Sequence, residues 1–250
     1  MIDLDQALAC FASEGYARLG RVIDDDTTSA LGARIDDLML ARVQHEGMFF
    51  QRDSDTGRYE DLSFGLGWQG PSLDYRKMEK LELDPVFAAY LRNPLFERIA
   101  RRLVDGPIAL YRAVVFTKSA RGGSDLPFHQ DGGAFWGIDR MPTLQLWTAI
   151  DDCPLDGGCL EVVPRTHLAG LATKDGGVVP KTLLDGIEAR IVPLPAVRGE
   201  VMLVHNHVWH RSRRSQSGQR RSALSVCYMS AATRCLRKKR APRKFTTLFD

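Results

Sequence analysis

A mainly β domain with helices packed on its outside is the fold class the sequence predicts, and three observations carry the prediction. Hydrophobic periodicity is helical before about residue 107 and switches to a period of two from Ile108 onward. Short β-rich runs then follow one another, parted by Gly, Pro and Asp clusters, with no helical pattern between them. The chain has 250 residues, 44% hydrophobic and 26% charged, which suits one globular domain and excludes a disordered or collagen-like chain.

Leu4, Leu8 and Phe11 recur at helical spacing, and Gly15 can supply the left-handed cap that ends such a helix. A second helix is predicted with acids and Thr27 or Thr28 at its start and Leu31, Ile35, Leu38 and Met39 as its core-facing stripe. Residues 48–75 mix aromatics with glycines and have no period, as expected of a long loop near a ligand, either a lid or a plain surface loop. Asp84-Pro85 and Asn93-Pro94 each set a capping side chain before a first-turn proline. They predict two short helices, one carrying Val86, Phe87 and Tyr90, the other Phe96, Ile99 and Leu103. The runs IALYRAVVFTK, TLQLWTAI, CLEVVP, RIVPLP, EVMLVH and RRSALSVCYMS then predict strands of a closed or sandwiched antiparallel structure. No repeat, low-complexity stretch or linker composition divides the chain.

The net charge of +3 is unevenly spread: residues 208–250 hold 12 Lys and Arg against one acid, a net of +11, which leaves −8 for the first 207 residues. The cluster Arg237, Lys238, Lys239, Arg240, Arg243 and Lys244 reads either as a solvated face or as the footprint of an anionic partner. Five cysteines, Cys10, Cys153, Cys159, Cys227 and Cys235, form no CxxC pair, which points to reduced thiols and away from a disulfide framework or zinc ribbon. No run of about 18 apolar residues occurs, and the N-terminal stretch carries acids where a signal peptide is basic and apolar; a cytoplasmic protein without a membrane segment is expected.

The segment LPFHQDGG is the most informative for chemistry. His129 and Asp131 sit two apart at the edge of a β-rich region, so a strand projects both side chains from one face. Such a pair is common by chance and needs a third ligand; GEVMLVHNHVWHRS offers His205, His207 and His210 on a late strand that a jelly-roll topology can bring beside the earlier one. Two imidazoles and a carboxylate on one face of a metal form the facial triad of non-heme Fe(II) oxygenases, which leaves three positions open.

Nearly end to end, the chain resembles the phytanoyl-CoA dioxygenase family of iron and 2-oxoglutarate-dependent oxygenases. The F-x-x-x-G-Y step spans Phe11 to Tyr16, VVFTK ends at Lys118 ahead of LPFHQD, and QLWTAIDDCPLDGGCLEVVPRTH and HNHVWHRSRRSQSGQRRSAL resemble the family's two later ordered motifs. The resemblance implies a double-stranded β-helix, a cupin-like jelly roll, over about 108–232, a helical N-terminal part over about 1–107 and a basic tail over 233–250, all in one domain. It also implies Fe(II) ligands at His129, Asp131 and His210, which leaves His205 as a structural histidine and His207 as a candidate substrate contact. His45 and His167 read as surface or loop histidines. Arg221, eleven residues after His210, falls where the family grips the distal carboxylate of 2-oxoglutarate, a task suited to the planar guanidinium fork. Ser212 is implied beside it, with Trp147 and Val114 lining the cosubstrate pocket, while Arg220 should point away.

Departures from the family concern substrate. Arg211-Ser212-Arg213-Arg214 replaces a small segment after the last ligand, Pro164-Arg165-Thr166-His167 replaces P-G-S-H, and Ser215 stands where Asn is common. Retention of Asp131 excludes the halogenating variant of this chemistry, in which a small residue frees a site for chloride. The expected reaction consumes O2 and 2-oxoglutarate, releases succinate and CO2, and hydroxylates a small metabolite, anionic or carrier-linked, with desaturation or cyclisation as variants. Trp136, Arg213 and Arg214 are further candidate substrate contacts, and Arg211, Arg213, Arg214 and the tail from Arg234 to Lys244 are expected to form a basic rim for an anionic substrate. Two other classes stay open: an oxygenase that meets nucleic acid through the basic tail, although no nucleic-acid-binding module accompanies it, and a cupin-like binding protein without turnover.

Overall fold

The computed structural model describes residues 2–238 and 243–250. Lys239 and Arg240, counted above among the tail cations, lie outside the described residues. The first half holds helices α1 (Leu4–Glu14), α2 (Asp25–Met39), α3 (Pro85–Tyr90) and α4 (Pro94–Arg101). Each start is capped as a short polar side chain allows: Asp3 accepts from the Gln6 amide, Asp24 from Thr27, Asp84 from Val86 and Asn93 from Leu95. Gly15 ends α1 in the left-handed conformation, φ 84°.

Thirteen strands follow the chain among the described residues: β1 (Tyr16–Arg21), β2 (Phe49–Arg52), β3 (Tyr75–Glu79), β4 (Ile108–Lys118), β5 (Leu126–Gln130), β6 (Leu144–Ala149), β7 (Leu160–Val163), β8 (Gly177–Val178), β9 (Val192–Leu194), β10 (Glu200–His205), β11 (Trp209–Ser212), β12 (Arg221–Ser230) and β13 (Thr247–Phe249). They form two antiparallel sheets, one in the order β1-β10-β6-β12-β4-β3-β2 with β13 also on β4, the other in the order β8-β5-β11-β7-β9. This is the cupin-like jelly roll.

The period of two decides what each face of the large sheet meets. Leu144, Leu146, Val201, Leu203, Leu224 and Val226 pack against Phe11, Leu31, Ile35, Leu38, Phe87, Phe96 and Ile99 of the helical layer. From the alternate positions, Trp147, Ala149, Met202, Val204 and Ala223 meet Leu160, Val162 and Leu194 of the small sheet. The interior between the sheets therefore belongs to one parity of each strand, and any polar residue in that parity is held there by the register.

Three expectations on organisation need correction. The long loop of residues 48–75 begins and ends in paired strands, β2 and β3, which extend the large sheet. The first 107 residues are not only helical, because β1 to β3 all join that sheet. The basic tail is part of the fold at its end, where β13 pairs with Ile108 and Ala109 of β4. All five cysteines are free, and burial pushes the Cys153 and Cys227 thiols up to about 12. Among the described residues no helix is long and apolar enough to cross a membrane.

Candidate metal centre

Antiparallel pairing of β5 with β11 sets His129 directly opposite His210, with ring centroids 4.1 Å apart. Asp131 follows β5, its amide donating to Asn206 O at 2.7 Å. One ligand atom from each of His129, Asp131 and His210 lies within 4.8 Å of the others. Gly133 lets the loop after Asp131 press against residues 175–176: a Cβ there would stand 2.1 Å from Asp175 O, and its φ is 91°.

The surroundings prepare these three groups to donate lone pairs. Nδ1 of His129 lies 3.0 Å from Pro127 O and Nδ1 of His210 lies 2.9 Å from Val208 O, so in both rings Nδ1 donates to a carbonyl and Nε2 is the nitrogen available to a metal. Burial, then the neighbouring His210, lowers the pKa of His129 to about 3, which keeps its ring neutral. Burial on its own raises the pKa of a carboxyl, but Arg112 beside Asp131, with the two imidazoles and the Gln145 amide, holds this one well below the usual carboxylate range. Arg112 lies 2.7 Å from Oδ1, while Gln145 donates through Nε2 to Oδ2 at 2.6 Å and accepts through Oε1 from Ser225 Oγ at 2.6 Å. Two imidazoles and one ionised carboxylate on one side form a donor set that suits a divalent first-row metal such as iron.

Beside this cluster opens a small cavity, about 60 Å³ in volume, with His129, Asp131 and His210 on its wall. Phe116, Leu126, Trp147, Leu160 and Val204 give it apolar walls, and Ser212 lines it as well. Arg221 is 3% exposed on this wall, donates through one terminal nitrogen to Gly158 O, and has its Nε buried without a partner. A buried unpaired guanidinium donor is costly to leave so, and a carboxylate in the cavity would satisfy it. Lys118, opposite Arg221 in the β12–β4 ladder, donates to Ser124 O at 2.6 Å; burial, with Arg221 and Arg76 nearby, pushes its pKa down to about 7. Arg76, also on the wall, donates to Gln51 Oε1 at 2.9 Å. Arg220 turns the other way, to Asp36 and Asp151.

Several candidate residues lie away from the cavity wall, each for a physical reason. Val114 is buried on the interior parity of β4 but is not part of the lining. Trp136, 1% exposed, has one face on Tyr111 and Arg112 over its ring, which leaves no surface for substrate. His207 belongs to a second histidine group, its ring 5.3 Å from His205, which lies 4.7 Å from His167. His205 Nδ1 accepts from the His207 amide at 3.0 Å. His167 is buried, its Nε2 3.0 Å from Ala12 O, and His45 reaches Asp84 at 2.8 Å, so neither is a free surface histidine.

The expected basic rim is largely spent on other partners. Arg211 and Arg213 both pair with Glu161, at 2.7 and 3.0 Å, and Arg214 donates to the carbonyls of Thr56 and Arg121. In the tail, Arg234 pairs with Asp139, Arg237 donates to Phe135 O and Arg243 to Tyr111 O. Reasoning from sequence missed Arg112, Gln145, Ser225, Lys118 and Arg76. The available signal was a charged or amide side chain at an interior parity of an apolar strand, as in IALYRAVVFTK and TLQLWTAI.

A pH dependence follows from two of the three depressed histidines, His129 and His205, the third being His207. Burial, then His167 and His207, lowers the pKa of His205 to about 3, as burial does for His129. The unfolded chain takes up these protons near the ordinary value of about 6.5, and the folded protein only near 3. Stability of the metal-free protein is therefore full above about 6.5 and falls as pH drops toward 3. Urea unfolding at pH 7 and pH 5 measures this, and His205→Gln is expected to flatten the difference.

Comparison with known proteins places these residues in a family context. A model of the phytanoyl-CoA dioxygenase family matches residues 11–223. The chain is 31% identical over 160 residues to phytanoyl-CoA dioxygenase domain-containing protein 1 of Bos taurus, covering 60% of this chain and 55% of that protein. It is 28% identical over 176 residues to an L-proline trans-4-hydroxylase of Streptomyces griseoviridis, covering 59% and 64%. The chain thus spans little more than half the length of the curated relatives it matches first. Among solved structures, the epimerase SnoN in complex with Fe3+, alpha ketoglutarate and nogalamycin RO superposes with a TM-score of 0.73 at 20% identity over 95% of this chain and 88% of that one. EctD from S. alaskensis with 2-oxoglutarate and 5-hydroxyectoine gives 0.73 at 20% over 94% and 78%. At these identities the superpositions speak for the fold.

Proposed function

We propose, for a chain that belongs to the phytanoyl-CoA dioxygenase family, that it is an Fe(II) and 2-oxoglutarate-dependent dioxygenase that hydroxylates a small anionic or carrier-linked metabolite. The observation that carries this reading is the convergence of two Nε2 atoms and one carboxylate, each fixed from behind by a hydrogen bond, beside a cavity with an unsatisfied buried arginine. His129, Asp131 and His210 hold the iron. Bound there with 2-oxoglutarate and O2, iron supplies oxidative decarboxylation to succinate and CO2 and the removal of a substrate hydrogen.

The chain's own residues do the rest. Pro127 O and Val208 O accept from Nδ1 of His129 and His210, so each ring is held with Nε2 as the nitrogen that meets the metal. Arg221 receives the distal carboxylate of 2-oxoglutarate, with Ser212 on the same wall and Lys118 across the ladder. Phe116, Leu126, Trp147 and Leu160 exclude water around the reacting centre. Arg76 and Lys118 are buried cations on the cavity wall, against the single further acid Asp53 there, and this balance supports a substrate that carries an anion. In the tail, Arg234 pairs with Asp139 while Arg237 and Arg243 donate to backbone carbonyls, which favours the small-molecule reading over the nucleic-acid one.

The test is a screen of small carboxylates and phosphate esters for substrate-stimulated succinate release. An anionic compound is expected to stimulate turnover and its neutral ester or amide is not, and Arg76→Gln should raise KM for that compound while leaving the 2-oxoglutarate requirement in place. Equal stimulation by the neutral analogue would overturn the substrate assignment.

A further inference from the structure

Asp131 presents its two oxygens to different neighbours. Oδ2 lies 3.6 Å from His210 Nε2 and accepts from Gln145, so it faces the shared metal position. Oδ1 faces outward and meets Arg112 at 2.7 Å. Arg112 Nε has no hydrogen-bond partner, and the guanidinium lies 4.9 Å from the centroid of the Trp136 ring, so a ring face sets its position as much as its bond to the carboxylate.

That ring is the middle of a longer stack. Trp136 lies on Tyr111 with centroids 4.2 Å apart and an interplanar angle of 12°. Over Tyr111 sits Arg243, 4.9 Å from its centroid and 5.0 Å from that of Phe245, with its guanidinium donating to Tyr111 O at 2.7 Å. Adjacent residues of a regular strand face opposite ways, so Tyr111 and Arg112 can share this stack only because the β12–β4 register slips between them. Arg112 pairs with Cys227 and Leu110 with Tyr228, which leaves Tyr111 as the extra residue of a bulge. The end of the chain is fastened beside this bulge, since Leu110 N donates to Thr246 O at 2.9 Å and β13 pairs with Ile108 and Ala109.

We propose that Arg112 is a positioning residue that occupies Oδ1 of Asp131, so that the carboxylate offers the metal Oδ2 alone, and that the C-terminal segment from Arg243 to Phe249 fixes Arg112 through Tyr111 and Trp136. The inference rests on the metal reading above. It gives the basic tail a task inside the molecule, at the back of the metal ligand. Removal of the arginine frees the carboxylate to turn or to bind through both oxygens. Loss of Arg243 or Phe245 lets the stack loosen and has the same effect in weaker form.

The test uses Co(II) in place of Fe(II), because the intensity of its visible bands reports coordination number and needs no turnover. In anaerobic titrations of the full-length apoprotein, Arg112→Gln is expected to weaken Co(II) about 10- to 100-fold, the usual cost of losing an outer partner of a metal ligand, and to change the band intensity. Arg112→Lys should recover part of both. Arg243→Gln and Phe245→Ala, remote from the ion, should shift affinity and spectrum in the same direction by less, with the unfolding midpoint of the apoprotein unmoved; these variants carry the test if Arg112→Gln fails to fold. Wild type that binds Co(II) while the Arg112 or the tail variants match it in affinity and spectrum would overturn this proposal alone. Wild type that takes up no Co(II), or takes it up equally after His210→Ala, would overturn the metal reading and this proposal with it.

Discussion

His210→Ala is expected to leave the protein unable to hold iron at micromolar protein concentrations, whereas His205→Ala binds it as the wild type does. Both histidines come from one short segment, and the difference lies in where the fold sends their nitrogens. His210 stands opposite His129 with Nδ1 on Val208 O and Nε2 toward Asp131. His205 accepts the His207 amide on Nδ1 and packs between Phe11, at 5.6 Å, and His167, at 4.7 Å. Loss of an outer partner costs roughly 10- to 100-fold in metal affinity, so loss of one of only three donors should cost more. Equilibrium dialysis of Fe(II) under argon reads the outcome. Retained iron in His210→Ala with loss in His205→Ala or His207→Ala would show that the wrong histidines have been assigned.

The next largest effect is expected at Arg221. A charge-assisted partner of a buried carboxylate contributes about 2 to 5 kcal/mol when truncated, so Arg221→Ala should raise the 2-oxoglutarate requirement by roughly 30-fold or more. Its neighbour Arg220 is tied to Asp36 of α2 and to Asp151 and faces away from the cavity. Arg220→Ala should therefore leave 2-oxoglutarate binding unchanged and lower thermal stability slightly, as expected for a half-exposed ion pair. Calorimetric titration of 2-oxoglutarate into Mn(II)-loaded protein compares them, and similar losses at both positions would contradict the facing of β12.

What was legible in the sequence was local. The four helix starts carry Asp or Asn at the capping position, and the long strands alternate, so α1 to α4, β4, β6, β10 and β12 could be read from periodicity and caps. β1, YARLGR, escaped notice because a glycine and two arginines obscure Ala17 and Leu19, its only two apolar residues on the buried face. β2 and β13 are four- and three-residue edge segments whose only signal is the strand they pair with. The same distinction governs the site. His129, Asp131 and His210 lie in motifs, but Arg112 and Gln145 reach Asp131 because the row Gln145, Cys227, Arg112 crosses β6, β12 and β4, a register no single segment displays. Arg211 and Arg213 looked like a free basic rim because Glu161, which neutralises them, stands fifty residues away and becomes their neighbour through the β11–β7 pairing.

Whether three ligands and a 2-oxo acid meet at one place is tested most directly by anaerobic absorbance. Fe(II) and 2-oxoglutarate added together to the wild type should give the weak visible charge-transfer band of a 2-oxo acid chelated to iron. The band should require both components and be lost in His129→Ala, Asp131→Ala and His210→Ala. No band at saturating 2-oxoglutarate, or a band that survives Asp131→Ala undiminished, would contradict the assignment of the centre.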